Sequence, residues 1–451
     1  MADIIVAGAG HGGLIAAARL AKAGHHVSVY EKILRDEYPL EQKDYFDANA
    51  MRFAGIEIPE HYYAENNRIS FIPLDSDVPV LTMPENTENE TLMVERKELF
   101  EYFVSLAIEA GVVFHFGCEI LAPIMCGSRV CGIKTEIGDF YGDLIIDACG
   151  VYSPVRSQLP DYLRFDKAPA EYDVLHACRA YFPNIKDAPQ PKTDYNVYMK
   201  VDGMTGLSWV VTEEDEVDIL ICRFHDANFN TVADVLSKMR EENPHIGKEM
   251  LRGGKFVDIP IRQPMGMLVA DGYAAIGDAA FMTYSIKGSG LAYSIQAGVM
   301  LADAVAADTE CRFTAETLWE YEKTFFKEIG FGACRIAIVK SLLPYLTAQE
   351  VSDLFKEGFI TSDELASLSS NAVETIIKSK IIPFIRKKAR ALDNVPELKE
   401  KLLDELGWQG KFTLIEPFFP NKYERDDVER WVDRYNDFFE SIRFDDGIDD
   451  N

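Results

Sequence analysis

The chain opens with an apolar run, Ile4-Ile5-Val6-Ala7, that leads straight into a glycine-rich turn. A short continuous apolar run bounded by turn residues predicts a strand buried on both faces. Leu14, Ala17, Ala18, Leu20 and Ala21 then give one small, apolar helix face, which Gly24 ends. His26 to Tyr30 reads as a second strand, with Glu31 at its end. The same alternation returns downstream. A helix starts at Arg96, runs through Ala107 to Gly111 and leads into a strand at Val112-Val113-Phe114; another strand covers Leu144 to Asp147. Between residues 165 and 265 the period shortens to two. Strands are predicted at Val174 to Phe182, Tyr195 to Val201, Leu207 to Val211 and Val217 to Phe224, with turns at Gly203 and along Glu213-Glu214-Asp215-Glu216. Tyr273 to Ile276 is a further strand, followed by Gly277-Asp278, a loop, and Gly288-Ser289-Gly290 at the head of a long helix of small residues. From about residue 311 the period is helical. Thr314 starts one helix, whose apolar positions are Trp319, Tyr321, Phe325, Phe326 and Ile329. Thr347 stands three residues before Glu350, a capping box, and Thr361-Ser362-Asp363-Glu364 opens another helix.

The glycines of the first turn carry chemistry. Gly8-Ala9-Gly10-His11-Gly12-Gly13 is a G-x-G-x-x-G lying between a strand and a helix, with an acid about 20 residues on. Gly8 allows the tight turn, Gly10 lets the backbone approach a pyrophosphate, and Gly13 lets helix and strand pack closely. The helix N-terminus offers free N–H groups and a positive dipole end to phosphates. Glu31 is placed to accept hydrogen bonds from a ribose diol. The ordered context predicts a dinucleotide site but does not choose the dinucleotide.

The second glycine segment does. Gly277-Asp278 followed by Gly288-Ser289-Gly290 resembles the large flavoprotein family that includes aromatic hydroxylases, flavin halogenases and geranylgeranyl reductases. The resemblance implies FAD, with Asp278 on its ribityl chain and the Gly288-Ser289-Gly290 helix start facing the isoalloxazine. A helix N-terminus suits the negative charge that reduced flavin carries at that edge. Val94 to Phe100 resembles the family's arginine-led helix, which implies Arg96 near the FAD phosphates or ribityl. Asp147 to Arg156 resembles its D-G-x-x-S-x-x-R element, with Cys149 where many members have aspartate. The hairpin around Trp209 and the Leu-Pro-Tyr-Leu-Thr-x-x-Glu stretch are similar to the geranylgeranyl reductase branch, so Trp209 is expected to line a substrate cavity. Tyr284 and Lys287 are the candidate catalytic groups, because their loop lies between the two flavin motifs. Residues 44–51, where that branch usually carries a cysteine-glycine element, contain no cysteine, and Ser285 stands where it often has proline.

The expected architecture is α/β. A discontinuous Rossmann-like FAD-binding domain covers residues 1–164 and 266–312, an inserted, mainly β substrate domain covers 165–265, and a helical region with an acidic tail covers 313–451. The resemblance implies an oxidoreductase that moves a hydride from reduced flavin to a carbon–carbon double bond of a small hydrophobic, isoprenoid-type substrate. Its electrons would come from NAD(P)H or a reduced ferredoxin-like protein. A monooxygenase is the alternative reaction, and a non-catalytic flavin-binding redox sensor the alternative class. A halogenase would carry a W-x-W-x-I-P element, and residues 150–310 hold a single tryptophan.

Composition narrows the partners. A net charge of −28 repels a phosphate backbone and excludes nucleic acid. No apolar run approaches the ~20 residues of a membrane span, and the N-terminus has no charged or cleavable leader pattern. The 8 cysteines contain no C-x-x-C pair, which predicts reduced thiols in a cytoplasmic protein and no metal site. Residues 376–392 hold Lys378, Lys380, Arg386, Lys387, Lys388 and Arg390 with no acid. This basic apolar stretch is the candidate for peripheral membrane contact, set against burial of its Ile and Phe face within the protein.

Overall fold

The computed structural model describes residues 1–38, 41–64, 69–72, 81–82, 90–199, 206–225, 227–362 and 389–442. The apolar run at the start forms β1 (Asp3–Ala7), followed by α1 (His11–Lys22) and β2 (His26–Glu31). Then come β3 (Lys43–Asp47), the short α2 (Asn49–Phe53), β4 (Ile69–Ile72), β5 (Leu81–Thr82), β6 (Thr91–Glu95), α3 (Arg96–Glu109) and β7 (Val113–Phe116). β8 (Ile120–Cys126), β9 (Arg129–Thr135) and β10 (Gly138–Tyr141) make a small antiparallel sheet, and β11 (Leu144–Asp147) returns to the main one. After β12 (Val174–Pro183), β13 (Tyr195–Met199), β14 (Gly206–Thr212), β15 (Glu216–Arg223), α4 (Phe229–Glu242) and β16 (Arg252–Pro260), the chain comes back through β17 (Val269–Ala270), β18 (Tyr273–Ala275) and α5 (Leu291–Ala307). The described helices that follow are α6 (Ala315–Phe325), α7 (Phe331–Leu342), α8 (Ala348–Lys356), α9 (Pro396–Ile415) and α10 (Arg425–Ser441).

The first sheet runs β17-β18-β11-β1-β2-β7, and β1 pairs in parallel with both β2 and β11. A central parallel strand is covered on both faces, which is why β1 is apolar at successive positions. α1, α3 and α5 lie on one face; the other meets the β8–β10 sheet, with Tyr30 packed 4.7 Å, ring to ring, from Phe140. The second sheet runs β16-β12-β15-β14-β13-β4-β5. It therefore draws β4 and β5 from well before residue 165. Its alternation sorts two faces. Phe182, Val210, Ile219 and Ile221 pack against Val235 and Met239 of α4, while Leu175, Leu220, Phe224 and Ile259 line the opposite face. β3 and β6 pair as a two-stranded ribbon beside this sheet, Lys43 N donating to Tyr181 Oη at 2.8 Å.

Thr314 and Thr347 both start helices as predicted and cap them through reciprocal capping boxes; the box at Thr347 was expected, while the one at Thr314, closed by Thr317, was not. A π-helical turn over Phe326–Gly330 joins α6 to α7 and turns Phe326 into a cluster with Phe331, Phe419, Trp431 and Tyr435. Tyr435 Oη donates to Pro264 O at 2.6 Å, tying α10 to the end of the inserted segment.

One expectation is corrected. Cys126 and Cys131 form a disulfide across the β8–β9 turn, where the hairpin brings their Cα atoms to 5.8 Å. The hairpin pairing creates that proximity, and spacing alone does not reveal it. Among the described residues no single helix is long and apolar enough to cross a membrane. Of the basic stretch, residues 376–388 lie outside the described residues, as do Gly203, Asp363, Glu364 and the acidic tail.

Candidate cofactor and substrate site

The site is built where β1, β11 and two helix starts converge. Gly8 has φ +86°, and a Cβ there would lie 2.6 Å from Ala148 O; at Gly10 the same atom would be 2.9 Å away. Gly13 faces the Ala148 Cβ and Val6 at 2.7 and 3.0 Å. Gly12 serves a different neighbour: its added Cβ would meet Ser294 O of α5 at 2.5 Å. The fingerprint thus brings the β1–α1 turn against both the end of β11 and α5, independently of any ligand. Neither α1, which starts after Gly10, nor α5, which starts after Gly290, has a side-chain cap. Their first N–H groups are left for an anion or an electron-rich ring edge.

Glu31 accepts from Ala9 N at 2.8 Å and Ile33 N at 3.0 Å, which holds its carboxylate at the end of β2 beside the glycine turn. Arg96 heads α3 and makes a bidentate pair with Asp44 of β3, Nε to Oδ2 at 2.6 Å and Nη2 to Oδ1 at 2.7 Å. Burial pushes the Asp44 carboxyl up, and the Arg96 guanidinium overrides it, so Asp44 sits below the usual carboxylate range. Asp278 lies in the turn after β18, which Gly277 makes at φ +64°. It accepts from Thr283 Oγ1 at 3.3 Å, and Gly290 stands so close that an added Cβ would be 3.0 Å from Asp278 Oδ1. Burial raises its pKa, and Arg96 opposes the rise. Arg96 is therefore brought from a distant segment to Asp278 and Gly290, which lie at the two ends of one loop.

The loop between them is tight. Tyr284 N donates to Ser289 O at 2.9 Å, and both Lys287 N and Gly288 N donate back to Tyr284 O. Lys287 Nζ sits 5.6 Å from the centre of the Tyr284 ring. The Lys287 side chain as a whole is exposed, yet the protein around its ammonium desolvates the charge and lowers its pKa to about 8, against the pull of Asp47. At Gly288 an added Cβ would touch Ile259 at 3.4 Å and Leu175 at 3.9 Å, so this loop abuts the apolar face of the second sheet. Trp209 lies on that face, edge-on to Tyr195 at 5.8 Å and 5.2 Å from the Arg179 guanidinium, with its buried Nε1 lacking a hydrogen-bond partner among the described residues.

The Asp147–Arg156 element is structural. Asp147 accepts from Ser153 Oγ, Tyr273 Oη, Cys149 N and Arg156 N, and fully buried Arg156 donates to Val151 O and Ala279 O. Burial, then Asp147, pushes the Cys149 thiol well up, which keeps it protonated and unreactive.

Two groups escape sequence reasoning. His11 sits at the first position of α1 against Phe103, and its buried Nε2 lacks a partner among the described residues. Desolvation, then Arg96, lowers its pKa to about 4, so it is neutral. Asp44 was hidden because its partner is 52 residues away. The donor set suits FAD: two uncapped helix starts, a glycine cradle, an acid beside the turn, and a neutral imidazole with an unused buried nitrogen.

The NAD(P)-binding Rossmann-like domain family matches residues 6–33. The chain is 24% identical to the digeranylgeranylglycerophospholipid reductase of Haloferax volcanii over 356 residues, covering 73% of this chain and 82% of that one. This chain resembles the geranylgeranyl reductases. The structure of this reductase-like chain superposes on a geranylgeranyl bacteriochlorophyll reductase-like protein of Thermoplasma acidophilum with a TM-score of 0.71 at 19% identity, covering 88% and 99% of the two chains. It superposes on a probable FAD-dependent monooxygenase of Pseudomonas aeruginosa with a TM-score of 0.58 at 18% identity, covering 79% and 99%.

Proposed function

We propose that this chain is an FAD-dependent oxidoreductase that reduces a carbon–carbon double bond of a hydrophobic, isoprenoid-type substrate. The observation that carries this reading is the contact of the Gly288 loop with the apolar wall of Leu175 and Ile259. It sets a greasy surface directly beside the proposed flavin edge, and Trp209 extends that surface. When bound and reduced, FAD supplies the hydride.

The chain's own residues divide the remaining work. Gly10 and the first amides of α1 would take the pyrophosphate, Gly8 makes the turn before them, Gly13 lets α1 pack on β1, and Gly12 lets α1 sit against α5. Glu31 takes the adenosine ribose, Arg96 the phosphates or ribityl, and Asp278 the ribityl with Gly277 shaping its turn. Gly288, Ser289 and Gly290 present the α5 amides to the isoalloxazine edge, where they stabilise negative charge. The second alkene carbon needs a proton. Lys287 Nζ, with its pKa lowered to about 8, holds one loosely enough to give near neutrality, and Tyr284 orients it. The reductant is NAD(P)H or a ferredoxin-like protein.

The test uses the purified yellow protein, photoreduced without oxygen and mixed with a geranylgeranylated glycerophospholipid in micelles. Fast flavin reoxidation together with a gain of two hydrogens per double bond is the expected result. Reoxidation only by oxygen, with a hydroxylated product, would replace this reading by the monooxygenase, whose fold is also similar. Lys287→Met is expected to slow the reductive step at least tenfold while leaving FAD affinity unchanged.

A further inference from the structure

α9 turns one face inward and leaves the other uncovered. Leu398, Leu402, Glu405, Gln409 and Phe412 are buried. On the opposite side Leu403, Gly407, Gly410 and Leu414 follow one another in steps of four, three and four, which keeps them on a single stripe. Leu403 is 47% and Leu414 72% exposed. A glycine inside a helix costs about 1 kcal/mol relative to alanine. Gly407 and Gly410 have no left-handed φ, and among the described residues nothing lies within 4 Å of where their Cβ atoms would be. Nothing described in this chain uses their missing side chains. A second helix crossing there would, because small residues at the crossing let two helix backbones approach closely.

The stripe specifies its own partner. Leu403 and Leu414 are equally far from the point between Trp408 and Gln409, and so are Gly407 and Gly410. A second copy turned about a twofold axis through that point sets Leu403 against the other copy's Leu414, and Gly407 against its Gly410. That self-complementarity defines an isologous contact. The charges agree. Glu400 and Asp404 stack one turn apart on one flank of the stripe, about 60° and 100° round from Leu403. Lys411 stands on the same flank at about 80°. Asp404 and Lys411 are exposed, and neither has an ion-pair partner among the described residues. Three and four residues from Lys411 lie Gly407, Trp408, Leu414 and Ile415, so its own helix offers no acid at that spacing. The twofold brings each Lys411 to within about 3 Å, along the axis, of the other copy's Asp404.

We propose that the exposed face of α9 is a homodimer interface: two antiparallel copies of the helix cross at Gly407 and Gly410, with Leu403 against Leu414 and Asp404 against Lys411 on either side of the axis. Sedimentation velocity of the full chain tests it, at about 0.15 M salt so that the charge of −28 on each copy is screened. A dimer is expected. Asp404→Lys and Lys411→Asp each set like charges opposite one another, and each is expected to weaken dimerisation roughly tenfold or more. The combined D404K/K411D chain recovers the affinity. Gly407→Leu fills the crossing and leaves a monomer, whose unchanged circular dichroism shows that it is folded. A wild-type chain that stays monomeric up to about 100 µM would overturn the proposal. So would a dimer indifferent to these changes, and a charge-swapped chain no tighter than the single variants.

Discussion

Glu322 shows what burial does to a single group. It lies on α6 with no exposed surface, and its Oε2 accepts from Leu268 N at 2.8 Å, while Oε1 has no partner among the described residues. Desolvation raises its pKa from 4.5 to about 8, against the backbone N–H groups of Leu268 and Val269. A raised folded-state pKa means that the folded chain binds the proton more tightly than the unfolded one. The contribution is fully present below about 4.5 and is lost as the pH rises through 8. Glu322→Gln keeps an acceptor for Leu268 N and removes the titration. Melting followed across this window should fall with pH in the wild type and stay flatter in the variant, which should be the more stable by about 2 kcal/mol or more at the upper end. An equal slope in both proteins would assign the dependence to other groups. Residue-scale features were legible when their causes are local in sequence, as in the tight turn at Gly8 with its positive φ. The environments of His11, Asp44 and Glu322 were not, because the groups that set them come from other segments.

At the scale of elements, the decisive contact is the interlock of α1 and α5. A Cβ on Gly12 would meet Ser294 O at 2.5 Å, and one on Gly298 would meet Gly12 O at 2.5 Å. Each helix is notched where the other's backbone passes. Gly12→Ala and Gly298→Ala should therefore each destabilise by about 1–3 kcal/mol, as overpacking does. Both should also weaken FAD binding, because both uncapped helix starts shift together. Denaturant unfolding with and without added FAD separates the two effects; an unchanged midpoint in both variants would show that the helices part without strain. The elements at the N-terminus and around α5 were legible because buried parallel strands and a small-residue helix leave strong local patterns. α4 went unread among alternating strands, although Val232, Val235, Leu236 and Met239 carry helical spacing. β4 and β5 are too short to announce themselves, and their place in the second sheet is fixed by pairing with β13 and with each other.

The molecule as a whole is held by a polar clamp between the β3–β6 ribbon and the second sheet. Arg179 pairs with Asp218, both buried, through Nε to Oδ1 at 2.8 Å and Nη2 to Oδ2, and its Nη1 donates to Lys43 O. Lys43 reaches Glu213 and Glu216, and Arg252 bridges Glu95 and Glu216. Arg179→Met strands a buried carboxylate and should cost about 3–5 kcal/mol, while the double change with Asp218→Leu should cost clearly less than that single change. A double-mutant cycle read by urea unfolding checks the difference; additive losses would mean that the pair is not coupled. This clamp joins residues that no local pattern links, which is why a substrate region bounded at 165–265 could be drawn from the sequence without its two extra strands or its attachment to the ribbon. The α1–α5 notch has a further consequence, for the chain as it is made. The face of α1 that Gly12 opens has no cover until α5 has been synthesised, nearly three hundred residues later. At about 5–20 residues per second, the nascent N-terminal unit waits on the order of 15–60 s with its small, apolar helix face bare. Folding of the cofactor domain is thereby tied to the completion of two thirds of the chain.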